Sequence, residues 1–313
     1  MAYAVRTNTS IDSENAKAMM PDYHIGILDK DALEALAGGS QDAESDNTRA
    51  VFLQAKMWSK AVLDTKVDVS HDSKIFSFRL DHDQQTIGLP VGMHVLMRLR
   101  DPATRKAIIR AYTPISYGDA KGMLDLVVKI YRKTDTQDGG EMTMALDAIP
   151  LGHYVDFKGP VGKFIYNGRG NCTVLTHERV FDRFIMICGG SGVTPIFQIL
   201  RAVADDASDK TECLVMNGNR FEEDILCRKE LDDMVARAPK TVRLINSLTK
   251  PSDTWKGRRG RMDKEFFATE VGPPGRRAKC RTMVLVCGPE ALERGVLETF
   301  TDMGWKEDDI LFF

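Results

Sequence analysis

Apolar positions follow two different rhythms along the chain. Up to residue 166 they fall in short runs, at 60–69, 75–80, 94–100, 108–112, 124–131 and 154–158, separated by Gly, Pro, Asp and Lys. Runs of this length and spacing predict strands of a small antiparallel barrel. One helix is expected within it, where the pair Gly139-Gly140 passes into the helix formers of 141–147. From Phe184 the rhythm becomes strand, glycine loop, helix and strand: 184–188, 189–192, 194–204 and 212–217. It continues through a helix at 224–236, strands at 242–248 and 283–287, and a helix at 290–302. Such βαβ alternation predicts a parallel sheet with helices on both faces. The expected fold is α/β plus all-β: an antiparallel β-barrel over 51–166, a linker over 167–180 and a doubly wound parallel-sheet domain over 181–313.

Composition narrows the class of protein. At 313 residues the chain exceeds what one core organises, in keeping with two domains. The hydrophobic fraction of 43% and charged fraction of 28% are those of a soluble globular protein. Lys and Arg number 43 against 45 Asp and Glu, a net charge of −2 that excludes binding to nucleic acid through phosphate neutralisation. Apolar runs are strand-sized, so no membrane span is expected; with no secretory h-region, a cytoplasmic location is. Six cysteines, at 172, 188, 213, 227, 280 and 287, contain no C-x-x-C pair, and the six histidines show no ligand spacing. Reduced thiols and no metal site are expected. Residues 1–50 are rich in Asn, Asp, Ser, Glu and Ala and read as a flexible arm.

Four segments carry candidate chemistry. Arg110-Ala111-Tyr112-Thr113-Pro114-Ile115-Ser116 closes a strand, and alternation puts Arg110 and Tyr112 on one face. There a guanidinium fork suits a diphosphate and an aromatic plane suits a flat ring. Gly159-Pro160-Val161-Gly162 is a second special turn. Gly189-Gly190-Ser191-Gly192-Val193-Thr194-Pro195 joins a buried strand to a helix, with Thr194 as N-cap and Pro195 in the first turn, and offers amides and a helix dipole to an anion. Cys287-Gly288-Pro289-Glu290 ends an apolar strand where open α/β sheets bind ligands. Taken singly, a strand with a proline turn, a glycine turn or a buried inert cysteine explains each.

In this order and spacing the four segments resemble the cytochrome b5 reductase family of the ferredoxin–NADP reductase superfamily, over roughly residues 55–313. The resemblance implies an FAD-binding barrel and an NAD(P)H-binding sheet. It places Arg110 at the FAD diphosphate, Tyr112 and Thr113 at the ribityl chain and isoalloxazine, and Ser116 beside them. Val128, Ile130 and Tyr131 would add backbone and ring contacts. Gly140, Met142 and Thr143 resemble the family's Gly-Lys-Met-Ser phosphate segment, with Glu141 in place of the Lys. Gly190, Gly192 and Thr194 would receive the pyridine nucleotide. Gly288 and Pro289 would hold Cys287 beside the nicotinamide, where with Thr113 it shapes hydride transfer without becoming a covalent nucleophile.

The resemblance also bears on the electron donor. NADH-preferring relatives place an acid after the strand that here ends in Thr249 and Lys250; Arg258, Arg259 and Arg261 follow. NADPH is therefore expected, with NADH as the weaker donor, although a solvated basic loop accounts for the same residues. The stretch Asn219-Arg220 to Asp224-Ile225-Leu226 resembles the family's segment from an Asn to Asp-Ile-Leu beside the adenosine. Residues 15–28 resemble the end of the haem domain of eukaryotic assimilatory nitrate reductases. The expected activity is that of a fungal-type nitrate reductase flavin module, passing electrons from NADPH through FAD to a haem-domain or cytochrome b5-type acceptor. The alternatives are a free-standing NADH-cytochrome b5 reductase and a flavin-free interaction module.

Overall fold

A computed structural model describes residues 49–100, 106–135, 138–275 and 280–313. The arm expected over residues 1–50 lies outside them except for its last two positions. Six strands form the first layer: β1 (Ser59–Asp68), β2 (Ser73–Arg79), β3 (His94–Arg100), β4 (Ala107–Tyr112), β5 (Met123–Lys129) and β6 (Tyr154–Val161). They pair antiparallel in the order β4-β3-β6-β1-β2-β5, so β4 and β5 are the two ends of the sheet. Alternation fills the barrel: Val95, Met97 and Leu99 point inward from β3, as do Phe76 and Phe78 from β2. Phe78 meets Phe157 edge to face at 4.9 Å. Helix α1 (Glu141–Ala148) follows β5 and buries Met142 and Leu146, one turn apart, in the same core.

The stretch expected as a linker over 167–180 carries regular structure. Strands β7 (Phe164–Gly168), β8 (Asn171–Val174) and β9 (His177–Val180) make a small antiparallel sheet. Tyr166 anchors it, with its hydroxyl on Asp209 and its ring against Phe184 at 5.7 Å.

The remaining elements are β10 (Arg183–Gly189), α2 (Val193–Asp205), β11 (Glu212–Asn219), α3 (Arg228–Arg237), β12 (Val242–Leu248), β13 (Arg258–Arg259), α4 (Lys264–Glu270), β14 (Thr282–Cys287), α5 (Glu290–Asp302) and β15 (Ile310–Phe312). Their six strands run parallel in the order β13-β12-β11-β10-β14-β15. Both faces are covered, which explains why β10, β11 and β14 are apolar at nearly every position. Met186, Cys188 and Val215 face Ile196, Ile199 and Leu200 of α2. Ile185, Ile187, Leu214 and Met216 face Phe266 and Phe267 of α4 and Phe300 of α5.

Two helix starts differ from expectation. A 3₁₀ turn over Gly190–Gly192 runs straight into α2, so the helix begins at Val193 and Gly192 is its N-cap. Thr194 is therefore inside the helix, where its hydroxyl donates to Ser191 O at 3.2 Å. The helix expected from 224 is split into a 3₁₀ turn, Glu222–Asp224, and α3, because Cys227 between them has φ 53°.

The barrel and the parallel sheet share apolar contacts: Val127 belongs to the core around α2, and Ile75, Val91 and Ile115 pack on it. Polar contacts seal the seam. Gly92 N–H donates to Gln198 Oε1, and the buried Arg201 guanidinium donates to Ile115 O while lying 3.6 Å over the Tyr117 ring. Tyr117 in turn donates to Asp205 at 2.6 Å. Buried groups with this many partners fix one arrangement of the two domains. Among the described residues no helix is long and apolar enough to cross a membrane.

Candidate functional site

A cavity of about 1060 Å³ lies between β4, β5 and the start of α1 on the barrel side and the C-terminal ends of β10, β11, β12 and β14 on the other. Open parallel sheets bind ligands at those strand ends. The edge strands of the barrel supply the second wall because no further strand covers them there.

On the barrel wall the cleft gathers Arg110, Tyr112, Thr113, Val128, Tyr131, Gly140, Met142 and Thr143. Arg110 is exposed and stands 3.8 Å from Glu141. Tyr112 is half-buried, and burial pushes its phenol up to about 12, so the ring stays neutral. Thr143 donates to Gly140 O and accepts from Tyr131 N–H, both at 3.2 Å, while Gly140 N–H donates to Tyr131 O at 2.8 Å. These bonds aim the start of α1 at the cleft, where its first amides have no acceptor within the helix. A Cβ on Gly140 would lie 2.6 Å from Thr143 Oγ1, so only glycine permits this closure. Two expected contacts are placed elsewhere. Ser116 Oγ accepts from Asp125 N–H at 3.0 Å and closes the turn behind the strand. Ile130 is 2% exposed and belongs to the barrel core.

Across the cleft stand Gly190, Gly192 and Thr194, with Cys287, Gly288 and Pro289. Gly190 has φ +55°, a conformation that favours glycine, and no atom lies within 4 Å of where its Cβ would be. A Cβ on Gly192 would come 2.2 Å from Cys287 O, so the two loops touch backbone to backbone. Gly288 N–H donates to Glu293 Oε1 at 3.2 Å and steadies the turn after β14. Burial, reinforced by Glu293, pushes the Cys287 thiol up to about 12. It stays protonated at neutral pH, which suits a steric and dipolar role and disfavours nucleophilic attack.

The basic cluster divides. Thr249 and Arg261 line the cavity, as does Arg220. Arg258 instead donates to Ser247 Oγ at 3.0 Å and Arg261 O at 2.7 Å, with its guanidinium 4.0 Å over Phe266. Arg259 donates to the carbonyls of Ser252, Asp253 and Trp255. Lys250 is exposed outside the lining, held through its backbone to Arg220 O at 2.8 Å. Neighbouring residues of a strand point to opposite sides, so Arg258 and Arg259 of β13 take different tasks, and Arg261 lies beyond the strand. Among the described residues no hydrogen bond or ion pair engages the Arg261 guanidinium.

The cleft also holds Asn219 and Asp224 of the stretch expected beside the adenosine, and residues to which no motif pointed. His94 lines it, held below the usual imidazole range by burial. Phe313 closes its floor, ring against Phe164 at 6.0 Å and N–H on Val286 O at 3.0 Å. Asn219, Ser247, Asp224 and Asp263 complete the far wall, and Asp224 Oδ1 is buried with no hydrogen-bond partner. The two asparagines that end the otherwise apolar β11 were a readable signal, since a buried strand rarely accepts carboxamides without a task.

Comparison with known proteins gives this geometry a family. The oxidoreductase FAD-binding domain matches residues 60–166 and the oxidoreductase NAD-binding domain residues 186–298. "Nitrate reductase [NADPH]" of Beauveria bassiana is 62% identical over 305 residues, 97% of this chain and 34% of that protein. "NADH-cytochrome b5 reductase 2" of Danio rerio is 33% identical over 258 residues, covering 79% of this chain and 82% of the relative. The crystal structure of the cytochrome b5 reductase domain of Ulva prolifera nitrate reductase superposes with a TM-score of 0.77 at 32% identity, covering 84% of this chain and 100% of that one. The chain belongs to the cytochrome b5 reductase family. As in that family, an FAD-binding domain precedes an NAD-binding domain, and the chain is an oxidoreductase with FAD and a nicotinamide dinucleotide as cofactors. It spans about a third of the length of its fungal relatives. The cleft fits both groups: unsatisfied helix amides, a guanidinium and a neutral aromatic ring on the barrel side, and an open glycine loop opposite.

Proposed function

We propose that the chain is the NADPH-oxidising flavin module of a fungal-type nitrate reductase and hands its electrons to a haem-domain or cytochrome b5-type acceptor. The observation that carries the choice of donor is the cleft rim, where Thr249 lies beside Arg220 and the unengaged Arg261. A 2′-phosphate is recognised by guanidinium groups, whereas ribose hydroxyls are recognised by a carboxylate. Of the two carboxylates nearby, Asp263 caps α4 by accepting from Phe266 N–H at 3.0 Å, and Asp224 accepts from Phe221 N–H at 2.9 Å through Oδ2 while its Oδ1 is buried.

The barrel wall around Arg110, Tyr112 and Thr113 would hold FAD, which would supply the exchange between two-electron hydride chemistry and single-electron transfer. Each residue then has a bounded task. Arg110 and the first amides of α1 hold the diphosphate; Tyr112 and Thr113 border the ring; Val128 and Tyr131 extend that wall. Gly190, Gly192 and Thr194 receive the dinucleotide, and Cys287 with Gly288 and Pro289 limits where its nicotinamide can sit. Phe313 and the shared apolar seam keep water from the floor of the cleft.

The test is flavin bleaching in the FAD-loaded protein after rapid mixing with NADPH or NADH, followed by reduction of added cytochrome b5. Faster bleaching by NADPH with electron delivery to the haem supports the proposal. Faster bleaching by NADH would replace it with a free-standing NADH-dependent reductase, and absence of bound flavin would end the enzymatic reading.

A further inference from the structure

Two asparagines at the C-terminal end of β11 and one on β12 bond to one another and to Cys188 of β10 and Gly190 of the glycine loop. Asn217, with no exposed surface, sits in register between Cys188 of β10 and Asn246 of β12. Its Nδ2 donates to Asn246 Oδ1 at 3.2 Å, and its Oδ1 accepts from Cys188 Sγ at 3.5 Å and from Asn219 Nδ2 at 3.0 Å. Asn219 Oδ1 then accepts from Gly190 N–H at 3.3 Å, and its carbonyl accepts from Thr249 N–H at 3.0 Å. The carboxamides are oriented head to tail, so each bond polarises the next in a dry environment. An apolar residue at 217 would satisfy the core equally well, and a buried carboxamide is retained at a desolvation cost only if its bonds do something.

We propose that Asn217 is a positioning residue for the nicotinamide dinucleotide: through Asn219 it fixes the glycine loop at one end of the ligand and Thr249 at the other. The inference rests on the reading of Gly190 to Thr194 as the dinucleotide loop. Without Asn217, Asn219 loses the partner that fixes its side chain, so the carboxamide oxygen that accepts from Gly190 N–H is less well held, and the left-handed Gly190 has no side-chain packing to compensate.

The experiment uses the full chain loaded with FAD, comparing the native protein with Asn217→Leu, Asn246→Ala and Met216→Ala. NADP+ binding is read from the perturbation it causes in the visible flavin spectrum, and loop order from hydrogen exchange in the peptide containing Gly190. Of the three side-chain bonds lost in Asn217→Leu, the one from Asn219 acts on the loop, and its loss should raise the NADP+ Kd about 3- to 10-fold, with faster exchange at Gly190 and a limiting flavin-reduction rate within about twofold of native. Asn246→Ala removes only the far end of the relay and should raise Kd about 2- to 3-fold, which keeps the test decisive if Asn217→Leu does not fold. Met216→Ala, on the opposite face of β11, should lower the melting temperature and leave Kd and Gly190 exchange unchanged. Unchanged Kd and exchange in the two asparagine variants would overturn the proposal, as would an equal Kd rise in Met216→Ala. A native protein whose flavin spectrum does not respond to NADP+ would instead overturn the dinucleotide reading itself.

Discussion

Arg261→Gln keeps a long polar side chain and removes one positive charge from the rim of the cleft. The Arg261 guanidinium is exposed, so the proposed bond to a 2′-phosphate would be charge-assisted but partly screened by solvent. Charge-assisted hydrogen bonds are worth about 1.5–3 kcal/mol, and screening brings the expected loss to about 1–2 kcal/mol. That lowers kcat/KM for NADPH about 5- to 30-fold and leaves NADH, which has no 2′-phosphate, within about twofold. Arg259→Gln is the matched control, because Arg259 spends its donors on the carbonyls of Ser252, Asp253 and Trp255. It should lower the melting temperature while leaving the NADPH/NADH ratio unchanged. The assay is stopped-flow flavin reduction over a range of each nucleotide, repeated at two ionic strengths, where the NADPH advantage should shrink with salt. An unchanged ratio in Arg261→Gln, or an equal change in Arg259→Gln, would refute the division of the arginines drawn from their hydrogen bonds.

Three further outcomes follow from the same geometry. Arg110 and Glu141 are both more than half exposed, so their ion pair adds little stability and Glu141→Lys should not lower the melting temperature. Because it frees Arg110 and adds a cation beside the start of α1, it should slow loss of FAD on dilution, read as recovery of flavin fluorescence; faster loss would contradict the diphosphate placement. Gly192→Ala drives a Cβ to 2.2 Å from Cys287 O, a backbone atom that cannot swing aside. Overpacking of this kind costs about 1–3 kcal/mol, seen as a melting temperature lower by several degrees, with flavin retained and NADPH reduction lost. With the Cys287 thiol pushed up to about 12, its protonated form persists through the neutral range, and it contributes no titration to the flavin-reduction rate between about pH 6.5 and 9.5. A rising limb in that window, abolished in Cys287→Ser, would mean that a thiolate takes part.

The order of most elements was written in local pattern, although β7 to β9 fall mainly in a stretch expected as a linker and no element was expected at β13, α4 or β15. Strands of the barrel and sheet appear where period-two or continuous apolar runs are bounded by Gly, Pro and Asp, and α5 begins and ends where Pro289 and the last periodic residue place it. The glycine loop and the strand-end motifs were equally legible, because positive φ and close backbone approach restrict the residue type at single positions. Partnership was not local. Sequence spacing grouped Arg258, Arg259 and Arg261, and only the fold turned two of them onto loop carbonyls and left the third at the cleft. It placed Ser116 near a ligand, while the tertiary turn occupies that hydroxyl with Asp125. Thr194 looked like a helix cap until Gly190 started a turn earlier. The relay through Asn217 joins strands 29 residues apart, which no local window contains. Backbone propensity and hydrophobic period act over a few neighbouring residues, so one sequence carries them. A hydrogen-bond donor chooses among acceptors brought near by the packing of distant strands, and that choice exists only once the two domains have closed around the cleft.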